Sequence, residues 1–200
     1  MRRTAPLLAL ALALPAAAQE PPRIPTRDYA AVYAMTGFGS EAPQTMQVSF
    51  SAATKRQRID MPSEGQNLSM IVELGGRRMW MLEHGSRVAM ELGAGAGPVG
   101  DLPFSRIEEG ATVTRIGTDR VLGHACTVYR VASQGRPQGT ACVTEHGIML
   151  RGAFEGDGER GRMEATRISF DRQPAERFEV PPGYRNLQLP AGAAGPPPRR

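Results

Sequence analysis

Short runs in which apolar and polar residues alternate dominate residues 44–92. In the first run, Met46, Val48 and Phe50 are separated by single polar residues. A period of two is typical of a β-strand with one apolar and one polar face. Later runs repeat the pattern, and tight turns at Gly75-Gly76 and around Gly85 separate them. Such turns predict that neighbouring strands are antiparallel.

Methionine recurs on the apolar side of these runs. The ribbon holds six of the ten methionines of the chain, and their unbranched thioether side chains adapt to varied apolar shapes. Two interpretations stay open, because the methionines either fill an irregular core or form a ligand-binding surface. The candidate ligand-binding residues share this face and are Met46, Val48, Phe50, Met70, Val72, Met79, Met81 and Met90.

The pattern along the whole chain predicts a mainly β protein. About ten or eleven strands are indicated, and no segment keeps a 3.6-residue apolar period over three turns. Apolar strand faces without long helices to cover them are buried when the sheet curls on itself. We expect a single curved antiparallel sheet that forms an incomplete, half-open barrel with little helix. A closed barrel with a filled interior is the alternative. Trp80 is expected on the face opposite to Met79 and Met81.

The N-terminus has the pattern of an export signal. Arg2-Arg3 precedes an apolar run that ends in small residues at Ala16 and Ala18, which predicts a signal peptide over residues 1–18 that is cleaved after Ala18. An irregular segment at 19–28, a β domain at 29–189 and a disordered tail at 190–200 follow. No later stretch reaches the roughly 18 apolar residues that a membrane span needs. We expect a periplasmic protein of a Gram-negative-type bacterium, with no transmembrane segment in the mature chain.

The net charge of the chain does not alter the predicted fold or location. The formal net charge is +4, and removal of the two signal-peptide arginines reduces it. Basic runs interleaved with aromatic residues are absent from the sequence, so we do not expect nucleic-acid binding.

Cys126 and Cys142 are the only two cysteines. They lie on two adjacent predicted strands, which flank a wide hairpin loop at Ser133–Pro137. In an oxidising compartment this arrangement predicts a disulfide bond. The spacing does not match a CxxC metal or redox motif.

No residue pattern indicates catalysis, a metal or a cofactor. The sequence has no G-x-S-x-G nucleophile motif, and the paired Glu108-Glu109 is typical of solvated charge. His84 and His146 occur in the same tripeptide, Glu-His-Gly, between predicted strands. Single histidines on turns lack the spacing of metal ligands, so we expect hairpin turns and a protein that is not an enzyme.

Three segments together resemble the periplasmic lipoprotein-carrier superfamily of the LolA and LolB type, or related exported families with that sheet. They are Arg78-Met79-Trp80-Met81, the stretch from Ile116 to Tyr129, and the terminal Phe178-Glu179-Val180-Pro181-Pro182-Gly183-Tyr184. The resemblance spans roughly 29–189. It implies an unclosed antiparallel barrel, covered by helices, whose concave apolar side holds acyl chains. This chain lacks obvious long covering helices, and no functional residue of the carriers maps onto it by motif.

These observations predict a non-enzymatic periplasmic protein that binds an apolar ligand on the concave face of the sheet. The expected partners are a lipid or the acyl chains of a lipoprotein, with an envelope protein as a further candidate. The alternative function is an envelope protein-interaction or sensing module with no small-molecule ligand.

Overall fold

The computed structural model describes residues 20–37, 40–63, 66–76, 78–93, 111–156 and 159–188. Twelve strands and one short 3₁₀ helix make up its regular structure. The strands are β1 (Tyr29–Gly37), β2 (Ser40–Ser51), β3 (Arg56–Ser63), β4 (Gln66–Glu73), β5 (Arg78–Glu83), β6 (Val88–Gly93), β7 (Thr112–Val121), β8 (His124–Ser133), β9 (Arg136–Val143), β10 (Met149–Gly156), β11 (Glu159–Ser169) and β12 (Arg185–Gln188), and the 3₁₀ helix is Ala175–Phe178.

All twelve strands belong to one sheet that does not close. Their order is β12-β6-β5-β4-β3-β2-β1-β11-β10-β9-β8-β7. The predicted curved, half-open antiparallel sheet is therefore confirmed. One pair differs, because β12 runs parallel to β6; the sequence predicted no strand after Tyr184. A long connecting segment separates β12 from β11. Because no tight hairpin turn constrains its direction, β12 can pair either parallel or antiparallel to its neighbour.

Curvature brings residues of distant strands into one core. A single buried cluster contains Phe50 of β2, Leu92 of β6, Cys126 of β8 and Met163 of β11. A smaller cluster on the opposite face consists of Ile71, Leu82 and Ala89, and Trp80 packs against it. Trp80 therefore lies on the face opposite to its neighbouring methionines, as the alternation predicted.

Two segments outside the sheet pack against it. In the first, residues 20–28, the Thr26 N–H donates to the carbonyl of His146 at 3.0 Å, and Ile24 packs against the main core. In the second, the 3₁₀ helix follows β11 and lies against β3, where it buries Phe178.

Three predicted features lie outside the described residues. They are the signal peptide at 1–18, the tail at 190–200 and the solvated pair Glu108-Glu109. Within the described ranges, the structure contains no helix with the length and apolarity that a membrane crossing requires.

Candidate functional site

The eight predicted ligand-binding residues share one face of the sheet, which we call the methionine face. Strand register shows this directly, because residues directly opposite each other in a ladder project to the same side. Ile59 is opposite both Val48 and Met70, and Met81 is opposite both Met70 and Met90. The result is one continuous apolar row across β2 to β6.

Two polar groups on the same side are satisfied by neighbours. The amide of Gln57 donates to the Tyr29 hydroxyl at 3.3 Å, and the Tyr33 hydroxyl donates to the carbonyl of Met149 at 2.8 Å. Burial raises the pKa of both tyrosines above the ordinary value, so both hydroxyls stay neutral. Among the described residues of this face, no charged side chain is buried.

Much of the methionine face is covered by the protein itself. Met46 and Phe50 have no exposed surface, and Val48, Met70 and Met79 are also buried. Val72, Met81 and Met90 are only partly buried. Two cavities, of about 220 and 330 Å³, lie in the described part of the chain, and none of the eight residues lines either of them.

Exposure rises along the apolar row towards the β12 edge. Ile59 and Met70 are buried, Met81 and Met90 are half-buried, and Leu187 of β12 is 47% exposed. Leu187 is opposite Met90 in the β6–β12 ladder. The accessible part of this face is therefore the end formed by Met81, Met90 and Leu187.

A polar network occupies the opposite face and connects β3, β4 and the β5–β6 turn to the C-terminal segment. We call it the outer-face network, and it consists of Arg58, Asp60, Ser69, His84 and Tyr184. Ser69 is its centre: its Oγ lies 2.5 Å from Asp60 Oδ1, 2.6 Å from His84 Nε2 and 3.1 Å from Arg58 Nη2. Nδ1 of His84 is 2.5 Å from the Tyr184 hydroxyl. The network thus holds Tyr184 against the sheet.

The partners of Ser69 determine the direction of each hydrogen bond. The Asp60 carboxylate only accepts, so Ser69 donates its single proton to Asp60. Nε2 of His84 must then donate to Ser69 Oγ, and Nδ1 pairs with the Tyr184 hydroxyl. With its Nε2 proton directed at Ser69, His84 is no base for Ser69. The arrangement therefore lacks the activated nucleophile of a serine hydrolase.

Sequence reasoning placed His84 in a turn and missed this network. The turn is present, since residues 84–87 connect β5 to β6. The available signal was the alternation itself, which puts Asp60 and Ser69 together on the polar face. A cavity of about 330 Å³ lies beside the network, and Gln47 and Asn67 line it together with Ser69 and His84.

Within the described ranges, no group of three or more His, Cys, Asp or Glu side chains is placed to hold a metal ion.

Cys126 and Cys142 form the predicted disulfide, with an S–S distance of 2.02 Å. The prediction of a wide loop between β8 and β9 is wrong, because a two-residue turn, Gln134–Gly135, connects these strands. Both turn residues have positive φ, 49° and 75°, which is the type I′ geometry that matches the twist of a hairpin.

An ion pair crosses the strands that the disulfide joins. Asp119 is opposite Cys126, and Arg151 is opposite Cys142. Arg151 Nη1 contacts Asp119 Oδ2 at 2.5 Å, and its Nε contacts Glu164 Oε2 at 2.7 Å. A hydrogen bond from the Arg120 backbone N–H, with a further contribution from Arg151, lowers the pKa of Asp119.

The fold matches solved structures at low sequence identity. An uncharacterised conserved protein from Thermus thermophilus is 10% identical, with a TM-score of 0.58 over 84% of this chain and 95% of that chain. A LolA-superfamily protein from Nitrosomonas europaea is 11% identical, with a TM-score of 0.42 over 78% of this chain and 92% of that chain. The Mycobacterium tuberculosis lipoprotein LppX is 15% identical, with a TM-score of 0.40 over 74% of this chain and 90% of that chain. At these identities the likeness concerns the fold alone.

Sequence comparison gives one family. No curated protein sequence matches this chain. The family model described as a domain of unknown function, DUF4412, matches residues 35–153, which is more than half of the 200 residues. The chain therefore belongs to the DUF4412 family.

Proposed function

We propose that this protein is a non-enzymatic periplasmic binding protein for an apolar ligand, namely a lipid, an acyl chain or a lipoprotein. The observation that carries the proposal is the apolar row of the methionine face, which is buried at Ile59 and becomes accessible towards Leu187. A continuous apolar row that opens at one end offers a surface along which an acyl chain can lie.

The filled part of the face limits where contact occurs. Met46 and Phe50 have no exposed surface, so a ligand displaces core side chains if it enters there. Contact therefore centres on Met81, Met90 and Leu187. Methionine suits this position, because its flexible side chain can repack around an added alkyl chain.

Contact at this end contributes part of the binding free energy. Burial of each CH₂ of an acyl chain contributes about 0.8 kcal/mol. Contact with four CH₂ groups therefore contributes about 3 kcal/mol, which is roughly a 100-fold change in affinity.

The disulfide supports the proposed location. Cys126 and Cys142 are joined within the described fold, and such bonds persist in exported proteins, whereas reducing compartments keep thiols free.

Native mass spectrometry of protein purified from the periplasm tests the proposal. We expect lipid adducts that disappear on delipidation, and titration of the delipidated protein with palmitate should restore them. Equal masses before and after delipidation, together with no palmitate binding, would refute the proposal.

Substitutions locate the site. Met81→Glu combined with Met90→Glu should weaken palmitate binding roughly 100-fold, by the CH₂ arithmetic above. Leu187→Glu is the milder variant, since an exposed position tolerates the charge, and it should weaken binding by at least about threefold. Leu122→Glu is the matched control, because Leu122 is 48% exposed in the turn between β7 and β8 and should leave binding unchanged.

A second candidate function, an envelope protein-interaction or sensing module with no small-molecule ligand, is favoured by the long edge strand β7. Absence of lipid from every preparation, combined with binding of a peptide along β7, would favour this function over the first.

A further inference from the structure

The edge strand β7 has one side that pairs with no second strand of the described residues, although the Arg120 N–H already donates to Asp119 Oδ1. It runs over ten residues, Thr112–Val121, and within the described residues it pairs only with β8. Every second residue of such a strand directs its N–H and C=O groups away from the neighbouring strand. All residues from Thr114 to Arg120 are exposed, and Ile116 is 43% exposed. The strand therefore has an accessible edge that can accept another strand.

The opposite edge of the sheet is different. β12 has only four residues, and a very short edge strand is a common protection against unwanted pairing. A register shift between Arg115 and Gly117 interrupts the β7–β8 ladder, and such a bulge also protects an edge. It leaves a regular run on each side, Thr112–Arg115 and Gly117–Val121, and the first of these runs carries Arg115 and lies beside Arg130.

Charge indicates what kind of strand fits this edge. Strands β7 to β9 contain four arginines and one acidic residue, Asp119, which already contacts Arg151. Arg115, Arg130 and Arg136 are exposed, and no acidic partner is found for them among the described residues. Guanidinium groups bind carboxylates through two parallel hydrogen bonds, so this region of the sheet favours an acidic partner.

We propose that β7 is a docking edge for an extended acidic segment of a partner protein, which adds to the sheet as a further strand. Main-chain hydrogen bonds along β7 provide affinity, and contacts between arginines and carboxylates provide selectivity, as in other cases of β-strand addition. A second copy of this chain fits less well, because two β7 edges side by side would bring their arginines together. The proposal does not depend on the apolar ligand.

Titration of the whole mature protein with a fluorescein-labelled peptide of four Glu-Val repeats tests the docking. We expect saturable binding that increases the anisotropy, and protection of alternate β7 amides in hydrogen exchange. The same peptide with N-methyl groups on alternate residues keeps its charge and loses its main-chain donors, so it should bind at least about tenfold more weakly. A peptide of four Lys-Val repeats should not bind.

Substitutions separate the edge from general electrostatic attraction. Arg115→Glu combined with Arg130→Glu should weaken binding at least about tenfold. The matched control is Arg167→Glu combined with Arg172→Glu, which makes the same change of charge at exposed positions away from β7. It should change the affinity less than about threefold, because the general charge effect is screened by salt.

Several results would overturn the proposal. They are no binding of the Glu-Val peptide, equal binding of its N-methylated form, or equal effects of the two double substitutions. A dimer in sedimentation that Arg115→Glu dissociates would identify a second copy as the occupant, which also contradicts the proposal.

Discussion

Replacement of Ser69 by alanine should destabilise the protein more than its size suggests. Ser69 is 2% exposed, and its hydroxyl connects Asp60, His84 and Arg58 at distances of 2.5, 2.6 and 3.1 Å. Ser69→Ala removes the hydroxyl, and it leaves two charged groups and an imidazole without their common partner. The predicted consequence is a loss of global stability together with loosening of the C-terminal segment at Tyr184.

The magnitude follows from the kinds of hydrogen bond that are lost. A hydrogen bond to a charged group contributes about 1.5–3 kcal/mol, and a neutral one about 1 kcal/mol. The Asp60 side chain is 32% exposed and that of Arg58 is 16% exposed, so water replaces part of the lost interaction. We therefore expect a decrease in the free energy of unfolding of about 2–4 kcal/mol.

Urea denaturation at pH 7, followed by circular dichroism, measures this change. Ser49→Ala is the matched control: Ser49 is also buried, and the hydrogen bond shown for its hydroxyl is one accepted from Arg177 Nη1 at 2.9 Å. Its replacement should cost about 1.5 kcal/mol, the lower end for one hydrogen bond to a charged group, because the exposed Arg177 can bond to water instead. Equal stability of the Ser69→Ala and Ser49→Ala variants would refute the central role of Ser69 in the outer-face network.

Three further predictions concern the disulfide, the ion pair and a close backbone approach. Joint replacement of Cys126 and Cys142 by alanine should lower the free energy of unfolding by about 3 kcal/mol, because their sequence separation of 16 gives a closed loop of moderate length; chemical denaturation measures this. The pKa of Asp119 is lowered, so its contribution to stability is complete above its unfolded pKa of about 3.9 and is lost as the pH falls through the folded value. Arg151→Met should therefore raise the Asp119 pKa, as measured by NMR titration of its carboxyl carbon. Gly139→Ala should destabilise the β9–β10 pair by about 2 kcal/mol or more, as measured by thermal unfolding, because Gly139 has φ 134° and an added Cβ would lie 1.9 Å from a backbone oxygen.

Each of these predictions has a control or a contradicting result. Unchanged stability without the disulfide would contradict the chain-entropy estimate. An Asp119 pKa that stays the same in Arg151→Met would mean that the Arg120 backbone hydrogen bond alone lowers it. Gly117→Ala is the control for Gly139→Ala, because nothing lies within 4 Å of the added Cβ at Gly117. Equal effects of the two alanine substitutions would contradict the close approach at Gly139.

The outer-face network shows where sequence reasoning reached its limit. Asp60 and Ser69 could be assigned to the polar face, and His84 could be assigned to a turn. The contact between His84 and Tyr184 depends on a segment that is 100 residues away from His84 in sequence. No local pattern encodes such a contact, since it arises only when the C-terminal segment crosses the outer face of the sheet.

The methionine face also combines features that the sequence predicted with features that only the tertiary structure decided. Alternation predicted that Met70 and Met81 share a face and that Trp80 does not, because successive residues of a strand project to opposite sides. The degree of burial followed from curvature, which packs core side chains of distant strands against Met46 and Phe50 and leaves Met81 and Met90 nearer the open edge. A ligand role for these residues remains the proposal made above.

By itself, the sequence determined the local and hairpin-level features of this protein: most of the strands, the face on which their side chains lie, and the pairing of Cys126 with Cys142 across neighbouring strands. These depend on a two-residue period and on short turns, which act over a few residues. Only the tertiary structure decided the parallel position of β12, the filling of the concave face, the network around Ser69 and the open edge at β7. Those features depend on how the sheet curves and on which distant segments meet, because burial and long-range hydrogen bonds are properties of the assembled fold.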